Sequence, residues 1–313
     1  MAQAQLLQKK NNKIRPCTQD RVFSAVVVIS LAVFLLLTIY PLIFVISASF
    51  SDPKLVASGQ MILFPKGFSL QGYQYVMQYE EIWLGYRNTI FYTIVGTLVN
   101  LVFTLPCAYG LSRRDVKGRN FIMTLYVITM YVGGGLIPHY LNLQSLHLIN
   151  SPWVLIIPGA VSTYNLIVAR TFFSNSIPWE LHEAAFIDGS SDFRTFLQIV
   201  LPLSAPIIVV LTLYYGVGHW NSYFSALIYL NDRNLYPLQV FLHEILSLSN
   251  FMANAMQEGT LSPEEMAAML EQVETANMIK YCMIVVASAP MMVLYPFLQR
   301  FFTKGVMIGA IKG

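Results

Sequence analysis

Six times along its 313 residues the chain holds an apolar run that approaches the ~20 residues a helix needs to cross the hydrocarbon core of a bilayer. The runs fall at about 22–50, 88–111, 120–141, 153–174, 203–229 and 277–302. Only 11% of the residues are charged, against roughly 25% in an average soluble domain, too few to solvate two globular units of this length. The sequence therefore predicts an all-α membrane protein with a six-span domain at 22–302, a short leading segment at 1–21 and a tail at 303–313.

Each run holds proline: Pro41, Pro106, Pro138, Pro158, Pro206, and Pro290 with Pro296. Bilayer helices tolerate proline because neighbouring segments satisfy the carbonyls it frees, so kinked helices around a cavity are expected. The first run, Val22 to Phe50, is longer than a signal-peptide core and ends in no small-residue cleavage site, which reads as a retained anchor. Cys17, Cys107 and Cys282 show no metal or redox spacing.

Charge orients the bundle. The N-terminus, the second and fourth loops and the C-terminus, with the span ends that enter them, hold 14 of the 19 Lys and Arg, including the cluster Arg113, Arg114, Lys117 and Arg119; the opposite side holds five. The positive-inside rule places both termini in the cytoplasm of a multi-pass cell-membrane protein. Outside lie 51–87, read as irregular with short helices, and the long loop 230–276. There Ser262, Pro263 and Glu265 have the spacing of a helix cap, a first-turn proline and a capping box.

The fourth loop, 178–202, is polar in an otherwise apolar chain. Ser174 to Pro178 break the preceding helix, Trp179 to Ile187 can form a short one, Asp188-Gly189 is a turn pair, and Ser191 to Val200 can form a second before Pro202. Gly189 supplies a backbone conformation that a side chain resists. Phe186, Ile187, Phe193 and Phe196 offer apolar knobs beside charges, the surface a partner protein engages.

Glu183-Ala184-Ala185, three residues, Gly189, nine residues, Ile199, one residue, Leu201-Pro202 resembles the full EAA signature of the transmembrane subunits of ABC importers. The stretch 177–182 also resembles that family, and the six spans, the segment YVGGGLIPHYL at 131–141 and the tail FLQRFFTKGVMIGAIKG resemble carbohydrate permeases of the maltose-permease type, nearest the smaller subunit of that pair in a Gram-positive oligosaccharide branch. The resemblance implies a type I ABC importer permease fold in which this loop is the coupling helix that docks in the ATPase. It implies Glu183, Ala184, Ala185 and Gly189 as the contact core. Asp188 and Arg194 join them on chemistry alone. It also implies that the tail, through Lys304, Gly305, Gly309 and Lys312, reaches into the ATPase dimer.

The chain lacks the phosphate-cradling G-x-x-x-x-G-K-[ST], so ATP and Mg are expected on partner ATPase subunits, with no cofactor, metal or catalytic residue of its own. The expected partners are a second homologous permease subunit, two ABC ATPases, an extracellular solute-binding protein and a carbohydrate, with no nucleic acid. Sugar sites combine aromatic platforms with a few polar groups. Tyr215, His219, Trp220, Asn221 and Tyr223 offer that mixture for a substrate pathway, His219 and Asn221 being the sharper candidates as polar groups within a span. Gly133-Gly134-Gly135 reads as a close helix crossing in preference to a hinge. His139, His147 and His243 read as structural. The alternative is an ion-coupled secondary transporter, disfavoured because the span cores contain no Asp or Glu; an intramembrane enzyme lacks any catalytic pair.

Overall fold

The computed structural model describes residues 17–247, 276 and 279–296. The capping box at Ser262 and the C-terminal tail lie outside the described residues. Everything described is helix, turn or loop.

Thr18–Ser49 forms one 32-residue helix with Pro41 inside it. Its most apolar 18-residue stretch buries nothing against the other described residues. Only the last turn, Ser47 to Ser49, is buried. There the Ser49 hydroxyl meets the Tyr73 hydroxyl at 2.8 Å, and the Cys282 thiol donates to the Ser49 carbonyl at 3.3 Å. The following segment carries the short helices Pro53–Ala57, capped by Asp52, and Gln71–Gln78, as its mixed composition predicts.

The organising element is Glu80–Ser112, a 33-residue helix. Asn88, Tyr92, Gly96, Asn100, Thr104 and Ala108, every fourth residue, are all buried and make one stripe along its axis. Against that face pack Thr163–Ser176 and Ala205–Trp220. Small and hydrogen-bonding residues suit it, because inside a membrane helices associate by close packing and polar contacts and not by expulsion of water. At its C-terminal end Arg170 donates to the Leu111 carbonyl at 3.0 Å and Arg119 to the Arg113 carbonyl at 2.7 Å. These cations satisfy and complement the negative end of the helix.

Three single helices among the described residues are long and apolar enough to span: Thr18–Ser49, Glu80–Ser112 and Ile279–Pro296. The other three expected spans are built differently. The third is a pair, Arg119–Tyr131 and Leu136–Ser145, bent by 117°. The break runs through Gly133-Gly134-Gly135, and Gly135 sits at φ +84°, where side chains are strained. A Cβ placed on these glycines would meet nothing nearer than Pro138 at 3.9 Å. Among the described residues no second helix crosses there, so the expected close crossing is replaced by a chain break.

The fourth expected span, 153–174, holds only the 14-residue helix Thr163–Ser176 after a 3₁₀ turn at Pro152–Leu155, so the described residues give three single spans, or five with both bent pairs, and not the expected six. Pro158 thus stands in irregular backbone and not in a kinked helix. The irregular backbone is satisfied from its neighbours: Asn100 Nδ2 donates to the Gly159 and Ala160 carbonyls, and the Ser162 N–H donates to the Tyr215 hydroxyl. Non-helical backbone at membrane depth is tolerated on that condition. The fifth is a pair, Asp192–Leu203 and Ala205–Trp220, bent by 82°, with Pro206 in the first turn of the second helix. Tyr223 onward forms a separate short helix, Phe224–Tyr229.

Candidate functional site

Loop 178–202 folds as its local sequence dictates. Pro178, which has no N–H to leave unsatisfied, opens the helix Trp179–Ile187. That helix ends in a glycine-dependent cap: Gly189, at φ +72°, donates to the Phe186 carbonyl at 3.0 Å, and Ser190 donates to the Ala185 carbonyl at 2.9 Å. This is the paired bond pattern of the Schellman motif. A Cβ on Gly189 would touch nothing within 4 Å, so the backbone angle alone requires glycine here.

Ser191 then caps the second helix by accepting the Arg194 N–H. Residues Phe196–Val200 widen into a π turn. Pro202 follows, and its missing N–H removes the bond a regular turn would make to the Gln198 carbonyl.

The loop has two faces. Inward lie Ala185 at 4% exposure, Thr195, Phe196 at 6% and Val200. Outward lie Phe186 at 81%, Ile187 at 83% and Phe193 at 72%, with Glu183, Ala184, Asp188 and Arg194 also exposed. Phe196, expected among the exposed knobs, instead packs against Tyr109 with ring centroids 5.1 Å apart. Ala185 faces the chain's own interior, whereas Ala184 is free to be approached. Arg194 is held along its helix by Gln198 at 2.9 Å.

Behind the loop stands a cluster that sequence reasoning missed. The His182 ring stacks between Trp179 at 5.2 Å and Tyr109 at 5.8 Å. Burial pulls its pKa below the ordinary histidine value. Arg113 ion-pairs with both Asp115 and Asp192. The hydrogen bonds that Arg113 donates to Asp115 hold the guanidinium pKa above its ordinary value and lower that of the Asp115 carboxyl. A cavity of about 310 Å³ opens beside this pair, lined by Pro106, Gly110, Asp192 and Phe193. Arg113 was visible in the sequence only as part of a basic loop. Its partner Asp192 is 79 residues away, and no local pattern joins them.

The residues expected to line a pathway divide. Tyr215 is buried, its hydroxyl 2.7 Å from the Thr104 hydroxyl. His219 Nε2 lies 2.7 Å from Asn100 Oδ1, and the Trp220 indole donates to the Ala287 carbonyl at 3.0 Å. These three fasten helices to one another. Asn221 is exposed and bonds back to the Val217 carbonyl. Tyr223 stacks on His243 at 4.9 Å, and His139 lies edge-on to Tyr229.

Comparison with known proteins covers most of the chain. The family model described as "Binding-protein-dependent transport system inner membrane component" matches residues 82–308. The chain is 41% identical over 298 residues to the polygalacturonan/rhamnogalacturonan transport system permease protein YtcP of Bacillus subtilis, covering 94% of this chain and all of that one. It is 40% identical over 279 residues to protein LplC of the same organism, covering 88% and 90%. Among solved structures, a chain of a bacterial ABC transporter involved in the import of the acidic polysaccharide alginate superposes with a TM-score of 0.80 at 30% identity. That match covers 92% of this chain and 99% of the other.

Proposed function

The chain belongs to the family of binding-protein-dependent transport inner membrane components, and from that membership we propose that it forms half of the translocation pathway of an ATP-driven importer for acidic oligosaccharides. It is a permease subunit of a carbohydrate ABC importer, resident in the cell membrane. The acidic substrate class is supported by the names of two relatives, one for polygalacturonan and rhamnogalacturonan and one for alginate.

The observation that carries the reading is the two-faced loop. Its inner face is locked to the membrane helices, while Phe186, Ile187 and Phe193 stand more than 70% exposed beside Glu183, Asp188 and Arg194. Exposed aromatic and aliphatic anchors ringed by charge mark a protein-docking surface. The occupant is one of two ATPase subunits, which bind ATP and Mg; Ala184 and the turn at Gly189 shape the contact. The tail residues Lys304, Gly305, Gly309 and Lys312 add a second contact on the strength of the family resemblance. Both termini lie in the cytoplasm, a second and different permease chain completes the pathway, and an external binding protein delivers substrate. Asn221 and Tyr223 are the exposed side chains of this set that can meet sugar, since Tyr215, His219 and Trp220 are engaged in holding helices together.

The test is uptake. The full complex, purified in mild detergent and reconstituted in vesicles with its binding protein and ATP, should accumulate labelled oligogalacturonate and not a neutral oligosaccharide of equal length. Uptake of the neutral sugar alone would overturn the acidic class. Uptake of the acidic sugar without ATPase subunits would overturn the ATP-driven reading.

A further inference from the structure

We infer that Tyr109, on the last turn of Glu80–Ser112, and Arg113, the residue that caps it, are the positioning residues through which movement of loop 178–202 reaches the membrane helices; this rests on the loop being the ATPase dock. Both helices of the loop converge on this one turn. From the first, His182 lies parallel to the Tyr109 ring at 5.8 Å and 15°. From the second, Phe196 packs on it at 5.1 Å, and from the preceding membrane helix Phe173 meets it edge-on at 6.0 Å. The ring is 6% exposed, so it cannot yield to one contact without transmitting to the others, as close-packed interiors require.

Arg113, one turn on, fixes the second helix by charge. Its side chain is 14% exposed and pairs with Asp192, in the first turn of that helix, while Asp115 holds the other side of the guanidinium. Nη1 also reaches the Tyr109 hydroxyl at 3.5 Å, so the ring and the ion pair form one unit.

What receives the displacement is a continuous helix. Pro106 sits inside Glu80–Ser112 without interrupting it. From Tyr109 to Asn88 the helix runs about 30 Å at 1.5 Å per residue, the thickness of the hydrocarbon core. At the far end Asn88 donates to the carbonyls of Asn234 and Tyr236, Tyr92 donates to that of Leu235, and Thr89 accepts the Leu238 N–H. The outer segment 234–238 is thereby tied to the same rod that the loop grips at its other end.

The experiment measures uptake and ATP hydrolysis on one preparation of the reconstituted complex, with retention of the ATPase subunits scored separately. Asp192→Asn changes an exposed carboxylate and spares the fold. It should lower uptake per ATP hydrolysed roughly threefold, the scale of a part-exposed ion pair, with the ATPases still bound. Arg113→Ala should lower it roughly tenfold, as expected for loss of charge-assisted bonds. The double variant should be no worse than Arg113→Ala, and Tyr109→Phe, which keeps the ring, should exceed Tyr109→Ala. A wild-type ratio of uptake to hydrolysis in both Asp192→Asn and Arg113→Ala, or additive losses in the double, would overturn the inference. Ile187→Asp separates the premises. If it strips the ATPases while the Arg113 and Asp192 variants couple normally, the dock stands and the relay falls; if it leaves binding and coupling intact, both fall.

Discussion

His219 Nε2 and Asn100 Oδ1 lie 2.7 Å apart across two membrane helices, and the rest of the Asn100 carboxamide is already committed to the Gly159 and Ala160 carbonyls. The oxygen is left as an acceptor, so His219 carries its proton on Nε2. The imidazole fits because residue 96 has no side chain. A Cβ there would stand 2.5 Å from the ring.

Gly96→Ala should therefore destabilise the subunit by about 1–3 kcal/mol, the range for overpacking a filled interior. Thermal unfolding of the purified complex in detergent measures it. In a His219→Ala background the same substitution should cost nothing further, because the clashing ring is gone; an undiminished loss there would show that Gly96 serves some other contact.

Gly189→Val should cost about 1–2 kcal/mol for forcing a side chain into the left-handed region, and Gly189→Asn, a residue that caps helices in that conformation, should retain most uptake. Open space around this position makes the angle the only demand the chain itself imposes. Equal loss for Asn and Val would mean that the partner surface, and not the turn, excludes a side chain.

Ile187→Asp and Phe193→Asp should leave the chain in the membrane and release the ATPases, since neither side chain is buried in the subunit. Co-purification of the ATPase chains is the readout. Retention at wild-type stoichiometry in the double variant would remove the docking surface from consideration.

A pH dependence follows from His182. Burial holds its pKa below the ordinary value, so the folded loop takes up this proton less readily than the unfolded chain. The stability contributed by the neutral ring is complete above about pH 6.5 and is lost as pH falls from there toward the lowered folded value. Asp115, lowered by Arg113, acts in a separate window: its share is present above about pH 3.9 and lost below it. Unfolding temperature should thus fall on acidification below about pH 6.5 and flatten in His182→Phe. A profile identical in the two proteins would assign the slope to another group.

Topology is open to direct labelling. A cysteine replacing exposed Ser191 should react with an impermeant reagent only from the cytoplasm, and one replacing exposed Asn231 only from outside. Reaction at position 191 from outside and at position 231 from the cytoplasm would reverse the orientation drawn from the Lys and Arg count; reaction of both from the same side would remove the crossing expected between them.

The loop was legible in the sequence because its determinants are local. Proline before the first helix, glycine after it and serine before the second each act within a few residues, and the helix Trp179–Ile187 has the boundaries that these signals predict. Phe186 and Phe196 show where that legibility stops. Both are aromatics in one polar loop, yet one is 81% exposed and the other 6%, a difference set by how the second helix lies over Tyr109. The stripe from Asn88 to Ala108 was present in the sequence at a period of four, but hydropathy reads that segment only as an apolar run. Prolines gave the opposite difficulty: Pro41 and Pro106 lie inside helices while Pro158 lies outside one, in backbone whose free groups at Gly159, Ala160 and Ser162 are taken up by Asn100 and Tyr215.

The first helix touches the remainder of the described chain near its last turn, around Phe44 and Ser47 to Ser49. Lipid tails solvate its apolar side chains as well as a protein neighbour would. Across most of its length, then, this subunit's own fold asks only for length and oiliness, and residues there are free to drift through generations so long as both are kept. Ser49 is another matter: its hydroxyl and carbonyl are each taken by a partner of fixed position. Mutational tolerance along this one helix should change abruptly at that turn, marking where a mooring ends and a mechanism begins.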